Sequence, residues 1–335
     1  MSNRNSTQQN WTSWHHLLHK EILRKKTLIP KGANILIAVS GGQDSMALLN
    51  LINDLKKQHN WSINVWHGDH QWHKKSSIYA HELKNYCEKK NITFYSDKAE
   101  KEKILTEDKA RDWRYQKLCE RGRNLLTFEK QKKFYLLTGH TSTDNAETFI
   151  LNLARGSNYA GLSNIKSKRL LDNQLFLIRP ILIFSRHDTK KICEMLNIPI
   201  WEDPTNADLK IKRNFVRHKI IPSLESIYPQ CSERINNFTQ IMNSYKAERN
   251  DLTELAYLYC KDPKGIRRDL FKSMGLEARC TILNKFLLDF GSKQLSSKNL
   301  SFLSYLIIEK DKGQLDLLKD LKIIWNHDYI NFEKH

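Results

Sequence analysis

Residues 34–49, NILIAVSGGQDSMALL, limit what this chain can become more than any other stretch. Ile35, Leu36, Ile37 and Val39 form a short, almost unbroken apolar run, the pattern of a strand buried on both faces of a parallel sheet. Ser40-Gly41-Gly42 ends the run, and a helical pattern follows from Asp44 with Leu48, Leu49 and Ile52 on one side. Strand, glycine turn and helix N-terminus in that order gather free backbone N–H groups at the positive end of a helix dipole, which makes an anion site. A glycine pair alone also suits a tight turn that binds nothing. Ser40, Asp44 and Ser45 beside the pair favour phosphate with a divalent cation, since Asp44 would oppose a polyphosphate unless an ion such as Mg2+ stood between them. The spacing matches neither Gly-x-x-x-x-Gly-Lys-Ser/Thr nor Gly-x-Gly-x-x-Gly.

Helical patterns over 11–26, 76–89, 108–121 and 144–155 alternate with strand patterns over 62–66, 92–95 and 134–138; residues 1–10 are polar. This alternation predicts an α/β fold, a twisted, Rossmann-like parallel sheet with helices on both faces. Ligands of such sheets sit beyond the C-terminal strand ends. Ser40, His67 and His140 each follow a strand and are expected to converge there. The expected organisation is an N-terminal extension and helix (1–30), a catalytic domain (31–222), a helical linker (223–250) and a small, mainly helical domain (251–335). Helices are expected there over 252–259, 278–290 and 297–308, with one long linker helix over 224–249.

Lysine and arginine outnumber the acids to give a net charge of +18, so a polyanionic partner is expected. The six cysteines, Cys87, Cys119, Cys193, Cys231, Cys260 and Cys280, form no Cys-x-x-Cys, which argues against a zinc ribbon or iron–sulfur cluster and suits a reducing cytosol. No run of eighteen apolar residues and no apolar leader core occurs, so a soluble cytoplasmic protein, without a membrane partner, is expected. His67, His70 and His73 recur at every third position; polar strand-edge residues explain them better than zinc ligands. Lys261, Lys264, Arg267, Arg268 and Lys272 cluster either as a hydrated surface or as a phosphate-contacting patch.

Ser40-Gly41-Gly42-x-Asp44-Ser45 after a strand resembles the PP-loop of the N-type ATP pyrophosphatases. Further motifs resemble one family within them, the bacterial tRNA(Ile)-lysidine synthases. These are His67-x-x-His70, Glu107-x-x-Ala110-Arg111-x-x-Arg114-Tyr115 and Gly139-His140-x-x-x-Asp144-Asn145-Ala146-Glu147-Thr148. Arg155-Gly156, Gly161-Leu162, Arg179-Pro180, Trp201-x-Asp203-Pro204-Thr205-Asn206 and Arg213-Asn214-x-x-Arg217-His218 follow in order, and Pro222 closes the set. The likeness covers residues 30–225. His73 stands where the family commonly has arginine, Asn145 where it has glutamine, and Thr143 where it has a second acid.

The resemblance implies ATP-dependent ligation of lysine to C2 of cytidine 34 in the CAU anticodon of tRNA(Ile). Adenylation turns the C2 oxygen into a good leaving group and releases pyrophosphate, and the lysine ε-amine then displaces AMP. It implies that Ser40, Gly41, Gly42, Gln43, Asp44, Ser45, His67 and His140 bind ATP, with Asp44 the Mg2+ ligand. Asp44, Asp144, Glu147 and Arg213 are the implied catalytic set; Asp144 and Glu147, three apart on a helix, share a face for the substrate ammonium groups or a proton. Arg111, Arg114, Arg217, Lys264, Arg267 and Arg268 are the implied tRNA contacts. The partners are tRNA(Ile), L-lysine and ATP with Mg2+, and a homodimer stays open. Base thiolation by a related PP-loop enzyme, or RNA binding without catalysis, are the alternatives.

Overall fold

The apolar run becomes β1 (Asn34–Ala38), and its side chains divide as a doubly covered strand requires: Ile35 and Ile37 enter one hydrophobic core and Leu36 the other. The protein's computed structural model describes residues 11–72, 75–100, 106–128, 133–157, 161–162, 165–201, 204–291, 295–318 and 321–334. Residues 1–10, His73 and Asp203 therefore lie outside the described residues. The chain divides into two units, Met1–Gln240 and Ile241–His335.

In the first unit, β1, β2 (Ser62–Asp69), β3 (Thr93–Lys98), β4 (Phe134–Thr138), β5 (Lys168–Leu170) and β6 (Leu175–Ile178) form one sheet in the order β3-β2-β1-β4-β6-β5. All pairings are parallel except β5 with β6, an antiparallel edge. Residues of α1 (Ser13–Arg24), α2 (Gln43–His59) and α3 (Ser76–Lys89) cover one face, and those of α4 (Glu107–Phe128) the other. The chain leaves β1 toward β2 and β3, then returns to β4 on the opposite side of β1. This reversal opens a crevice at the carboxyl ends of β1 and β4. α2 and α5 (Ser142–Ala154) start at that crevice. β2 runs past Trp66 and takes His67, Gly68 and Asp69 into the strand.

Strands β5 and β6 and helix α6 (Arg186–Met195) have no counterpart in the expected pattern. A run of helical turns follows, with α7 (Lys212–Phe215), a π-helical turn over Val216–Ile220 and α8 (Ile221–Ile227), in whose first turn Pro222 sits. The single linker helix expected over 224–249 is instead α8 and α9 (Cys231–Cys260). Pro229 cannot continue a helix and drives Tyr228 to an extended φ of −131° and ψ of 91°.

In the second unit the helices expected over 278–290 and 297–308 form as α11 (Leu276–Asp289) and α12 (Ser297–Glu309), the one expected over 252–259 is the last part of α9, and α10 (Arg268–Ser273) was not expected. The unit also contains a five-stranded antiparallel sheet that the helical reading did not include: β7 (Lys261–Asp262), β8 (Gly265–Arg267), β9 (Gly313–Leu318), β10 (Leu321–Trp325) and β11 (Tyr329–Lys334), in the order β7-β8-β11-β10-β9. Its core joins Tyr257, Phe271, Phe286, Leu303, Ile323 and Trp325. Among the described residues, no helix is long and apolar enough to cross a membrane.

Candidate active site

The glycine turn lies at the crevice, and two of its features need glycine. Gly41 has φ +92°, a left-handed conformation that favours glycine. A Cβ on Gly139, at the end of β4, would lie 3.0 Å from the backbone of Asp44 and Ser45, so no side chain fits there without moving the loop. The loop also binds itself: the Ser40 amide donates to Ser45 Oγ at 3.2 Å, and Ser45 Oγ donates to the Gly42 carbonyl at 2.9 Å. Ser45 thus shapes the turn in addition to facing the cavity. The Trp201 amide donates to the Gly41 carbonyl at 3.0 Å and its side chain packs beside that glycine.

Asp44 occupies the first turn of α2. Burial pushes its carboxyl above the usual range, and the Arg186 guanidinium, 3.2 Å from Oδ2, pulls in the other direction. The Thr189 hydroxyl donates to Asp44 Oδ1, and Gln43 Nε2 donates to the Arg186 carbonyl at 2.7 Å and to Thr189 Oγ1 at 3.0 Å. Gln43 therefore ties the loop to α6 through its side chain. Arg186 and Thr189 are site residues that the motifs did not identify.

Asp144 and Glu147 do share one face of α5, and both are held by arginine. Arg213 reaches Asp144 Oδ1 through Nη2 and Glu147 Oε2 through Nε, each at 2.7 Å. Arg217 grips Glu147 with both arms, Nε to Oε1 at 2.6 Å and Nη2 to Oε2 at 2.9 Å. Burial would raise the Asp144 carboxyl, but Arg213 and the Thr141 amide, 2.7 Å from Oδ2, hold it below the usual carboxylate range. Glu147 is fully buried and does not line the cavity, so it holds arginines in place and is closed to a substrate ammonium group. Arg217, named as an RNA contact, has a side chain 13% exposed that grips Glu147 and still lines the cavity. Asn145, in the family's glutamine position, bridges Asn236 and the Ile165 amide.

The histidines converge as expected. His67 Nδ1 donates to the Val39 carbonyl at 2.8 Å, and burial lowers its pKa. His140 Nδ1 bonds Thr138 Oγ1 at 2.9 Å; burial, aided by Arg179, Arg213 and Arg111, lowers it strongly although Asp144 opposes. Both rings are therefore neutral near pH 7. They line one cavity of about 370 Å³ with the loop, Asp144, Arg186 and Arg213, large enough for a nucleotide-sized ligand. Arg111 and Arg114 line it too, and Arg111 lies over the Tyr115 ring.

In the second unit the basic cluster splits. Arg267 is exposed and pairs with Asp269 at 2.7 Å, and Lys264 Nζ lies 5.8 Å from the centre of the Tyr329 ring. Arg268 is corrected as a phosphate contact. It is fully buried and donates to the carbonyls of Ile307, Lys310, Asp311 and Asn326.

A family model described as a PP-loop domain matches residues 15–224. A tRNA(Ile)-lysidine synthase of Prochlorococcus marinus subsp. pastoris is 67% identical over 100% of both chains, and that of another Prochlorococcus marinus strain is 41% identical over 98% of this chain and 99% of the relative. The enzyme of the same name from Parasynechococcus marenigrum is 34% identical over 96% of this chain and 95% of its own. Among solved structures, the U34-tRNA thiolase of Methanococcus maripaludis with its 4Fe-4S cluster superposes with a TM-score of 0.55 at 18% identity, covering 68% of this chain and 80% of that one, a likeness of fold alone. With a PP-loop at the switch point of its sheet and relatives matched from end to end, the chain belongs to the tRNA(Ile)-lysidine synthase family.

Proposed function

We propose that the protein uses ATP to join lysine to C2 of cytidine 34 in tRNA(Ile) through an adenylated cytidine, releasing pyrophosphate and then AMP. The observation that carries this reading is one cavity in which the glycine loop, Asp44, the neutral His140 and the Arg213-held Asp144 meet, in a chain of this family. Adenylation requires the α-phosphate to lie between the loop and the C2 oxygen. The loop amides and the α2 N-terminus hold the pyrophosphate portion. Arg213, between Asp144 and Glu147, is positioned to steady negative charge beside the loop.

Mg2+ fits at Asp44. The ion typically uses one or two carboxylates together with substrate phosphates, and Asp44 is a carboxylate whose ionised form is disfavoured by burial and stabilised by a cation. Bound there, Mg2+ supplies charge neutralisation for the leaving pyrophosphate. Among the described residues no three His, Cys, Asp or Glu are grouped to hold a metal ion by themselves. The mobile substrates are tRNA(Ile) and L-lysine. Arg111 and Arg114 at the cavity, and Lys264 and Arg267 on the small unit, are the proposed RNA contacts, supported by the +18 charge.

Thiolation is less well supported, because the relatives matched end to end are lysidine synthases and the six cysteines form no Cys-x-x-Cys. The decisive experiment incubates minor tRNA(Ile) with the protein, ATP and labelled lysine, then weighs nucleoside 34. A gain of lysine mass is expected; an unmodified cytidine alongside unchanged ATP would leave RNA binding without catalysis. The half-reactions should also separate. Without lysine, one pyrophosphate per enzyme-bound tRNA is expected. Asp144→Ala should slow lysine transfer more than pyrophosphate release, and equal loss of both moves Asp144 to nucleotide or base positioning.

A further inference from the structure

Arg186 opens α6 behind the N-cap Ser185. Its backbone is fixed from two sides: its amide donates to Thr143 Oγ1 at 3.0 Å, and its carbonyl accepts from Gln43 of the loop at 2.7 Å. The side chain is 33% exposed, lines the cavity and ends 3.2 Å from Asp44 Oδ2. A backbone anchored to the phosphate loop therefore carries a partly solvated guanidinium to the carboxylate proposed to take Mg2+. Mg2+ on that carboxylate would repel the guanidinium, and the polyphosphate beside it would attract it. Arginine suits the transfer because its planar fork binds two phosphate oxygens at once.

Resting on the ATP-dependent reading above, we propose that Arg186 is a polyphosphate-binding residue. It exchanges its Asp44 partner for oxygens of the β- and γ-phosphates of ATP, and of the leaving pyrophosphate, as Mg2+ takes that carboxylate. Thr143 contributes indirectly, by holding the Arg186 backbone where the family commonly has a second acid.

The test is calorimetric titration of the full-length wild type, Arg186→Ala and Arg186→Lys with inorganic pyrophosphate in Mg2+. Each charge-assisted bond to phosphate is worth enough that Arg186→Ala should weaken binding by about tenfold or more. Arg186→Lys, which keeps the charge and loses the fork, should fall between. Arg186→Lys also supplies the comparison if the alanine variant is unstable with Asp44 left unpaired. Affinity within twofold of wild type in either folded variant, or tighter binding, would make Arg186 only a charge partner of Asp44 and overturn the proposal. Wild-type protein that binds neither pyrophosphate nor ATP would overturn the ATP-dependent reading itself, a distinct result.

Discussion

Asp44→Asn is expected to lower pyrophosphate release at saturating ATP, Mg2+ and tRNA by about 10³-fold or more, the loss of several kcal/mol of transition-state stabilisation when a metal anchor at a polyphosphate is removed. The fold should survive. Asparagine has the same shape, and the native carboxyl is already disfavoured in its ionised form by burial. Arg186, the cation beside it, is one-third exposed, so water can solvate it when the charge opposite is gone. The melting temperature should therefore stay near that of wild type while turnover collapses. Turnover within about threefold of wild type would show that Asp44 is not the metal ligand.

Arg268→Met is expected to destabilise the small unit by about 3–5 kcal/mol, the range for removing one partner from a buried charged network. Among the described residues, the guanidinium hydrogen-bonds carbonyl oxygens and no carboxylate. Its charge is met by the carbonyls of Ile307 and Lys310 at the C-terminal end of α12, where the helix dipole is negative, and by those of Asp311 and Asn326. Methionine fills much of the volume and leaves these carbonyls without their donor. Arg267→Glu, one residue earlier on the exposed side, should change stability by about 0.5 kcal/mol or less. Amide hydrogen exchange in β10 and β11 reads the difference: fast exchange for Arg268→Met, near-native protection for Arg267→Glu. Native protection in Arg268→Met would show that the clamp is dispensable.

Those two neighbours illustrate what the sequence makes legible. Adjacent arginines look like one basic patch, but the turn from β8 into α10 sends one side chain outward and the other into the core. The apolar run at Ile35–Val39 was readable because burial on both faces leaves a contiguous mark. The shared face of Asp144 and Glu147 was readable because three residues make nearly one helical turn. Their arginine partners were not, since nothing local says that Arg217 closes on Glu147 across 70 residues. Arg186 and Thr189 were invisible for the same reason; Thr189 meets Asp44 from 145 residues away. The small sheet did leave a signal. Leu321, Ile323 and Trp325 alternate, as do Ile330 and Phe332, a period of two that the helical expectation passed over. The edge pair β5–β6, of three and four residues, is too short for any period to register.

Trp201 gives the loop an intrinsic optical reporter. Its backbone is hydrogen-bonded to the carbonyl of Gly41, its side chain lies beside that glycine, and its indole N–H donates to Glu82. Indole emission follows the polarity and charge of its surroundings, and here the surroundings include the turn that is proposed to cradle polyphosphate. Loop occupancy can thus be followed on unlabelled protein by exciting tryptophan. The chain has eight tryptophans, so the contribution of this one is the difference between wild type and Trp201→Phe. An emission change that tracks added nucleotide and vanishes in the phenylalanine variant would time the arrival and departure of phosphate without a coupled assay.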